Sequence, residues 1–212
     1  ARVSDYANVE NLYARIGSGV DTVLGDAGAN KLIGAGLVDG GGGDDLIMDV
    51  NYADYYTRAV QLGFDFLQLP NVRATLLGGA GNDTISSVSG TSTLDGGVGN
   101  DRLSASSWAQ STTYIFGSGY EADTVEDFSE RPGKLSPLSP GGDVVRVTSA
   151  TDARQLRFAR STNDLVISLA GSTDSLKILN FWNAGGAVRS TVDTIEIAGG
   201  ATLNLGSIQA GL

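Results

Sequence analysis

The 212-residue chain carries 24 acidic and 14 basic side chains, a formal charge of -10, together with 41% hydrophobic residues, 30 glycines, four prolines, no cysteine and no histidine. The charge argues against a nucleic-acid groove or a polybasic membrane anchor, and the missing Cys and His exclude disulfides, zinc fingers, thiol nucleophiles and Ser-His-Asp triads. What remains is a chain with enough apolar content for a core, many tight turns and a natural affinity for cations.

The N-terminal "ARVSDYANVENLYARIG" has no apolar signal-like region, and no run approaches the ~18 residues of a membrane span. Beginning at Ala rather than Met, the chain reads as a fragment of a longer protein. From Ile16 a nine-residue period sets in: "IGSGVDTVL" from Ile16, "GDAGANKLI" from Gly25 and "GGGGDDLIM" from Gly40 place Val23, Leu32 and Ile47 at position eight. The third unit starts fifteen residues after the second, so a shortened or distorted turn is expected near Gly34 to Asp39.

Asp49 to Pro70, "DVNYADYYTRAVQLGFDFLQLP", lacks the period and reads as an insertion, a hairpin or a short helix. The period returns in 78–86, 87–95 and 96–104, with Ile85, Leu94 and Leu103 at position eight and Asp101 eighteen residues after Asp83. After Tyr114 the texture changes to short alternating strands such as "DVVRVTS", "DLVISLA" and "DTIEIA". "RPGKLSPLSPGG", Arg131 to Gly142, reads as an exposed loop among them. The expected division is a first block at 1–48 with degenerate repeats, an insertion at 49–75, a second block at 76–113 and a β-rich cap at 114–212.

In the unit G-G-x-G-x-D-x-U-x, six residues turn and three extend, and the apolar middle of the strand points inward. Two units make one coil, which stacks as parallel sheets on two faces, the pattern of a calcium-binding parallel solenoid. Successive coils lie about 4.8 Å apart, and Ca–O bonds of about 2.3–2.6 Å let one ion touch oxygens of both. Glycine aims carbonyl oxygens at the ion and aspartate supplies charge. Without the ion, two carboxylates about 5 Å apart repel by roughly 3 kcal/mol at an effective dielectric of 20, so the metal-free block should unfold.

The expected metal ligands are Gly78, Gly79, Gly81 and Asp83 with Gly96, Gly97, Gly99 and Asp101. Gly119 and Asp123 in "GSGYEAD" provide the next turn, so Asp101 and Asp123 would share a second ion. Gly41, Gly43 and Asp45 make a weaker site, because Asn30 stands where the neighbouring acid should be. Turns at 87–92 and 107–112 lack acids and should be empty.

Rival readings explain less. A phosphate loop would need Gly-Lys-Ser/Thr after the glycines. Asp44 and Asp45 are adjacent on a turn, which a glycosidase acid/base pair is not. Trp108, Trp182 and the tyrosines at 52, 55 and 56 could bind sugars, though core packing or a partner contact accounts for them. A β-helical lyase would have to use Tyr or Arg as its base, and against ice binding no regular threonine ladder is legible along one face.

These nonapeptides resemble the RTX, or repeats-in-toxin, family of secreted bacterial proteins. "YIFGSGYEADTVEDF" with "LRFARSTNDLVISLAGSTDSLKILNFW" resembles the segment that closes RTX blocks in adenylate cyclase toxins and related exoproteins, and "NVENLYARIGSGVDTVLGDAGANKLIG" resembles their opening. The resemblance implies an all-β fold, a calcium-loaded parallel β-roll capped by a β-rich flanking region. It also implies a chain disordered at low calcium that folds after type I export, with the C-terminal part carrying or adjoining the export signal. Its implied partners are calcium ions, the secretion apparatus and an upstream effector or catalytic domain, with no nucleic acid and no membrane contact for this segment. The module itself would be non-enzymatic and extracellular or on the bacterial surface. The rival is an adhesion or polysaccharide-binding module. Degenerate repeats and the insertion depart from the family pattern, so fewer ions than repeats are expected.

Overall fold

The computed structural model describes residues 5–6, 11–13, 21–34, 36–49, 73–88, 90–106, 109–127, 142–182 and 192–205. Most of the expected insertion, Trp108 and most of the Pro-rich loop lie outside these residues.

Two nine-stranded sheets face each other. Sheet A runs in the order β1 (Asp5–Tyr6), β3 (Asp21–Leu24), β5 (Gly36–Gly42), β7 (Arg73–Ala80), β9 (Gly90–Val98), β11 (Ala109–Phe116), β13 (Asp143–Val147), β17 (Val192–Ile197), β18 (Thr202–Asn204). Sheet B runs β14 (Leu156–Ser161), β15 (Asp164–Leu169), β16 (Ser175–Ile178), β12 (Ala122–Asp127), β10 (Arg102–Ala105), β8 (Thr84–Ser87), β6 (Leu46–Met48), β4 (Lys31–Ile33), β2 (Asn11–Tyr13). From β1 to β12 the chain alternates between the sheets, and within each sheet the neighbours are parallel. This is a parallel β-roll. Among the described residues antiparallel pairing enters only at its C-terminal end, in β14–β15, β15–β16 and β17–β18.

The nonapeptide period builds the core directly. Residues at position eight alternate between sheets and stack in two columns: Val23, Val38, Leu76, Leu94, Tyr114, Val145 and Ile195 in sheet A, and Leu32, Ile47, Ile85, Leu103, Val125 and Ile178 in sheet B. Every one of them is fully buried. At about 1.5–3 kcal/mol per large apolar side chain removed from water, these columns supply the main favourable term, yet each coil brings only two such side chains. The columns run past Thr113 into β12, β13, β16 and β17, so much of the β-rich C-terminal region continues the roll.

On the outer face of sheet A, Thr22, Thr75, Thr93, Thr113 and Thr194 share one row, broken by Leu37 and Val144. The row is interrupted, so it is not a regular threonine ladder, but three threonines, Thr75, Thr93 and Thr113, are consecutive in it. Unequal coil lengths hide the row in the linear sequence. Trp182 is buried, edge-on to Phe181 at 4.8 Å, with the Arg160 guanidinium 4.7 Å from its ring centre.

Candidate metal centre

The two edges of the roll differ in length. At the first edge the chain crosses from sheet A to sheet B, and Leu24 to Lys31, Asp39 to Leu46, Leu77 to Thr84 and Asp95 to Arg102 are each seven residues apart. These are the Gly-rich turns, and register holds through them: Gly41 pairs with Gly79 and Gly79 with Gly97. The coil containing Asp45 therefore lies directly against the coil containing Asp83, although 38 residues separate the two acids.

Four aspartates form one ladder along this edge. The backbone N–H of Asn30 donates to Asp45 Oδ1 at 2.7 Å, Asp45 N–H to Asp83 Oδ1 at 2.7 Å, Asp83 N–H to Asp101 Oδ1 at 2.8 Å, and Asp101 N–H to Asp123 Oδ1 at 3.0 Å. All four side chains are buried. In each, the second oxygen, Oδ2, has no hydrogen-bond partner. A buried carboxylate oxygen left without a partner is costly. Burial accordingly pushes the Asp45 and Asp83 carboxyls up to about 6, against the hydrogen bonds that hold them down, and Asp123 up to about 8; Asp101 is raised for the same reason.

The glycines explain themselves by what surrounds them. A Cβ on Gly78 would lie 2.2 Å from Asp83 Oδ2, and one on Gly40 or Gly96 would lie 2.1 Å from the Oδ2 of Asp45 or Asp101. The first glycine of each turn thus leaves room for the acid of its own turn. Gly79, at φ +106°, faces the Gly41 carbonyl oxygen at 2.2 Å from its Cβ position, and Gly97 faces that of Gly79 at 2.1 Å. Gly81 and Gly99 stand in the same relation to the carbonyl oxygens of Gly43 and Gly81. Carbonyl oxygens and unpaired carboxylate oxygens therefore crowd the same narrow edge, an all-oxygen donor set that fits Ca²⁺ and suits neither zinc nor a soft metal. Among the described residues no three acidic side chains converge, so backbone oxygens would have to complete any coordination shell.

The expected residues separate into three groups. Asp83 and Asp101 are neighbours with both glycine cradles in place. Asp45 and Asp83 are equally good neighbours, a pair the sequence reading did not make because it set Asp45 against Asn30. Removing the phase of the insertion would have revealed it. Asn30 closes its own turn: its Oδ1 accepts from Asp26 N–H at 2.9 Å and its Nδ2 donates to Asp26 Oδ1 at 3.2 Å, so that end needs no ion. The turn before Asp123 is built differently. Ile115 to Thr124 spans nine residues, and Phe116 occupies the register position of Gly96. Gly119 is drawn away from the ladder, donating to Asp174 Oδ2 at 3.1 Å, while Glu121 N–H donates to Asp174 Oδ1 at 2.9 Å. The Ser172 hydroxyl also donates to Asp174, and these bonds hold its carboxyl below the usual range.

Sequence reasoning missed a second, exposed ladder one residue earlier. Asn82 N–H donates to Asp44 Oδ1 at 2.7 Å, Asn100 N–H to Asn82 Oδ1 at 3.0 Å, and Asn100 Nδ2 to Glu121 Oε2 at 3.2 Å. It also missed Asp49 at the opposite edge, whose carboxylate accepts from Val88 N–H at 2.7 Å and from the hydroxyls of Ser87 at 3.0 Å and Ser92 at 3.4 Å. Asn-Asp pairing in the turns signals the first; nothing local in the sequence signals the second.

A parallel β-roll with buried carboxylates spaced one per coil along a Gly-rich edge is the architecture of a calcium-binding repeat protein. Residues 16–36 and 77–107 match the RTX calcium-binding nonapeptide repeat (4 copies), and residues 164–206 match the haemolysin-type calcium binding protein related domain, which supports the RTX reading of these segments. Over 97 residues the chain is 33% identical to the iron-regulated protein FrpA of Neisseria meningitidis serogroup C, covering 46% of this chain and 8% of that protein. The crystal structure of the extracellular lipase LipA from Serratia marcescens aligns with 84% of this chain and 41% of its own, at 14% identity and a TM-score of 0.35. Repeats of this family imply calcium binding and are typical of secreted proteins. Among the described residues no helix is long and apolar enough to cross a membrane.

Proposed function

We propose that the chain is a calcium-dependent folding and secretion module of a larger type I secreted bacterial protein, itself without catalytic activity. Asp45, Asp83 and Asp101, with backbone oxygens of Gly41, Gly43, Gly79 and Gly81, hold calcium between coils, and Asp123 closes the ladder. Bound there, the ion supplies the positive charge and oxygen coordination that the buried Oδ2 atoms lack. The chain's own part is to present these oxygens: glycine clears the space, the backbone N–H of the preceding coil fixes Oδ1, and Oδ2 is left for metal. One observation carries this reading, the four buried carboxylates each with one oxygen unpaired.

In the low-calcium bacterial cytosol the carboxylates repel and each coil brings too little apolar surface to offset them, so the chain stays export-competent. Outside, millimolar calcium folds it and seeds folding of the upstream domain. Far-UV circular dichroism with calorimetry, in chelator and then across a calcium titration, tests this. The expected result is loss of β signal in chelator and its cooperative return with calcium; a chain equally compact in both ends the proposal.

A further inference from the structure

The last strand of sheet B, β14, pairs with β15 on one side, and among the described residues no strand lies on its other side. Ala170 N–H donates to the Gln155 carbonyl, and Ser161 faces Asp164 across the two-residue turn Thr162–Asn163, with Thr162 at φ +59°. In an antiparallel pair, alternate residues direct their backbone groups at the partner strand or away from it. Arg157, Ala159 and Ser161 therefore bond toward β15, whereas Leu156, Phe158 and Arg160 face outward. Leu156 is completed locally, its N–H donating to the Ala153 carbonyl and its own carbonyl accepting from Arg157 Nη1 at 3.0 Å. Among the described residues nothing bonds the N–H or C=O of Phe158 or Arg160. The edge is also basic, in a chain of net charge -10: Arg154, Arg157 and Arg160 fall within seven residues. Asp152 lies 3.4 Å from Arg154, and Asp164 at the far end of the hairpin accepts from Asn180 N–H at 2.9 Å. Arg157 and Arg160 are exposed, and each is held by one nitrogen. Arg157 Nη1 donates to the Arg154 and Leu156 carbonyls, and Arg160 Nε to the Thr162 carbonyl at 2.8 Å, its guanidinium lying over Trp182. The other N–H groups of these two side chains have no partner among the described residues.

We propose that β14 is a docking edge for an acidic, extended segment of a partner protein, which joins sheet B as one further strand. Phe158 and Arg160 supply the backbone donors and acceptors that strand addition uses, two residues apart as one repeat of a ladder requires. Arg157 and Arg160 project from opposite faces of the strand, so carboxylates on either face of the incoming segment meet a guanidinium and form charge-assisted hydrogen bonds. The charge selects the partner. A second copy pairing β14 with β14 would set arginine against arginine, and like charges across a strand pair are destabilising. Charged side chains on an open edge also deter unselective pairing, so these arginines turn away basic strands and admit an acidic one. β14 holds none of the ladder carboxylates, so the assignment needs the folded roll but not the identity of its ion.

The test uses the whole 212-residue chain in excess calcium and short dye-labelled peptides, read by fluorescence anisotropy. One peptide alternates Glu with Val, a second alternates Lys with Val, and a third is the Glu–Val peptide with its backbone amides N-methylated. The Glu–Val peptide should bind about tenfold or more tightly than either of the others, because only it carries both the charge and the free amides. The double variant Arg157→Gln, Arg160→Gln should weaken that binding by a similar factor while leaving the far-UV circular dichroism of the chain unchanged. No binding of the Glu–Val peptide overturns the proposal. Equal binding of its N-methylated form does so too, since attraction would then be by charge without strand pairing. A double variant that folds and binds as tightly as the original chain is equally fatal. The comparison among peptides is made on the unchanged chain, so it decides the matter even where the substituted chain folds poorly.

Discussion

The two edges of the roll obey different rules. At the first, four successive crossings keep one length, whereas at the second Ile33 to Gly36, Met48 to Ala74, Ser86 to Ser92 and Ser104 to Thr112 span three, 26, six and eight residues. Sheet pairing is the same on both sides, so pairing does not demand the constancy. The carboxylate–carbonyl apposition does: it recurs in the seven-residue turns, and where the crossing lengthens to nine residues before Asp123 the acid keeps its rung but Phe116 replaces the first glycine and Gly119 leaves the ladder. The second edge has no repeated contact to preserve and absorbs the changes of length up to β11.

The strongest way to break this contrast is to lengthen each edge by the same amount. Two residues inserted between Gly81 and Asn82 should abolish calcium-induced folding of the adjoining coils by circular dichroism, while two inserted after Val88 should cost about 0.6 kcal/mol or less in denaturant melts. Next in size is Gly78→Ala, whose Cβ would collide with Asp83 Oδ2 and sit 2.4 Å from the Gly96 carbonyl oxygen; a loss of about 3 kcal/mol in calcium is expected. Asp83→Asn keeps the ladder acceptor but removes charge from two gaps at once, and its calcium midpoint should rise on the order of tenfold.

Proton dependence sharpens the same point. Folded carboxyls raised from 3.8 to about 6 at Asp45 and Asp83, and to about 8 at Asp123, favour the metal-free coil when protonated. That contribution is fully present below about 3.8 and is lost as pH rises through about 6 and then about 8. In chelator, residual β signal should therefore be greater at pH 5 than at pH 8, and excess calcium should remove the difference. Smallest of all is Gly119→Ala: φ is +85° but nothing lies within 4 Å, so only the backbone preference is lost, about 1 kcal/mol by thermal melting.

Much of this was legible because the repeat writes the geometry into the chain. Ile85, Leu94 and Leu103 announce two columns of core residues, and the spacing of Asp83 from Asp101 announces one coil. The Asp45–Asp83 neighbourhood was hidden by the inserted residues, since periodicity is read along the chain whereas stacking ignores what loops out of the second edge. Gly119 misled for the opposite reason: "GSGYEAD" resembles a turn, but two additional residues and Phe116 give it another path, fastened to Asp174. Ser87, Ser92 and Thr112 looked like ordinary loop and strand residues, because only closure of the coil brings them to face aspartates.

The antiparallel strands at one end of the roll have a consequence for how the molecule assembles. β14 and β15 pair between near neighbours in sequence, from Leu156 with Leu169 to Ser161 with Asp164, and they hold none of the four ladder carboxylates. Contacts this local form fast and require no metal, so the C-terminal hairpin can present a finished strand edge before any coil exists. Growth would then start from that template and run toward the N-terminus, one turn at a time, like a zipper closed from its fixed stop.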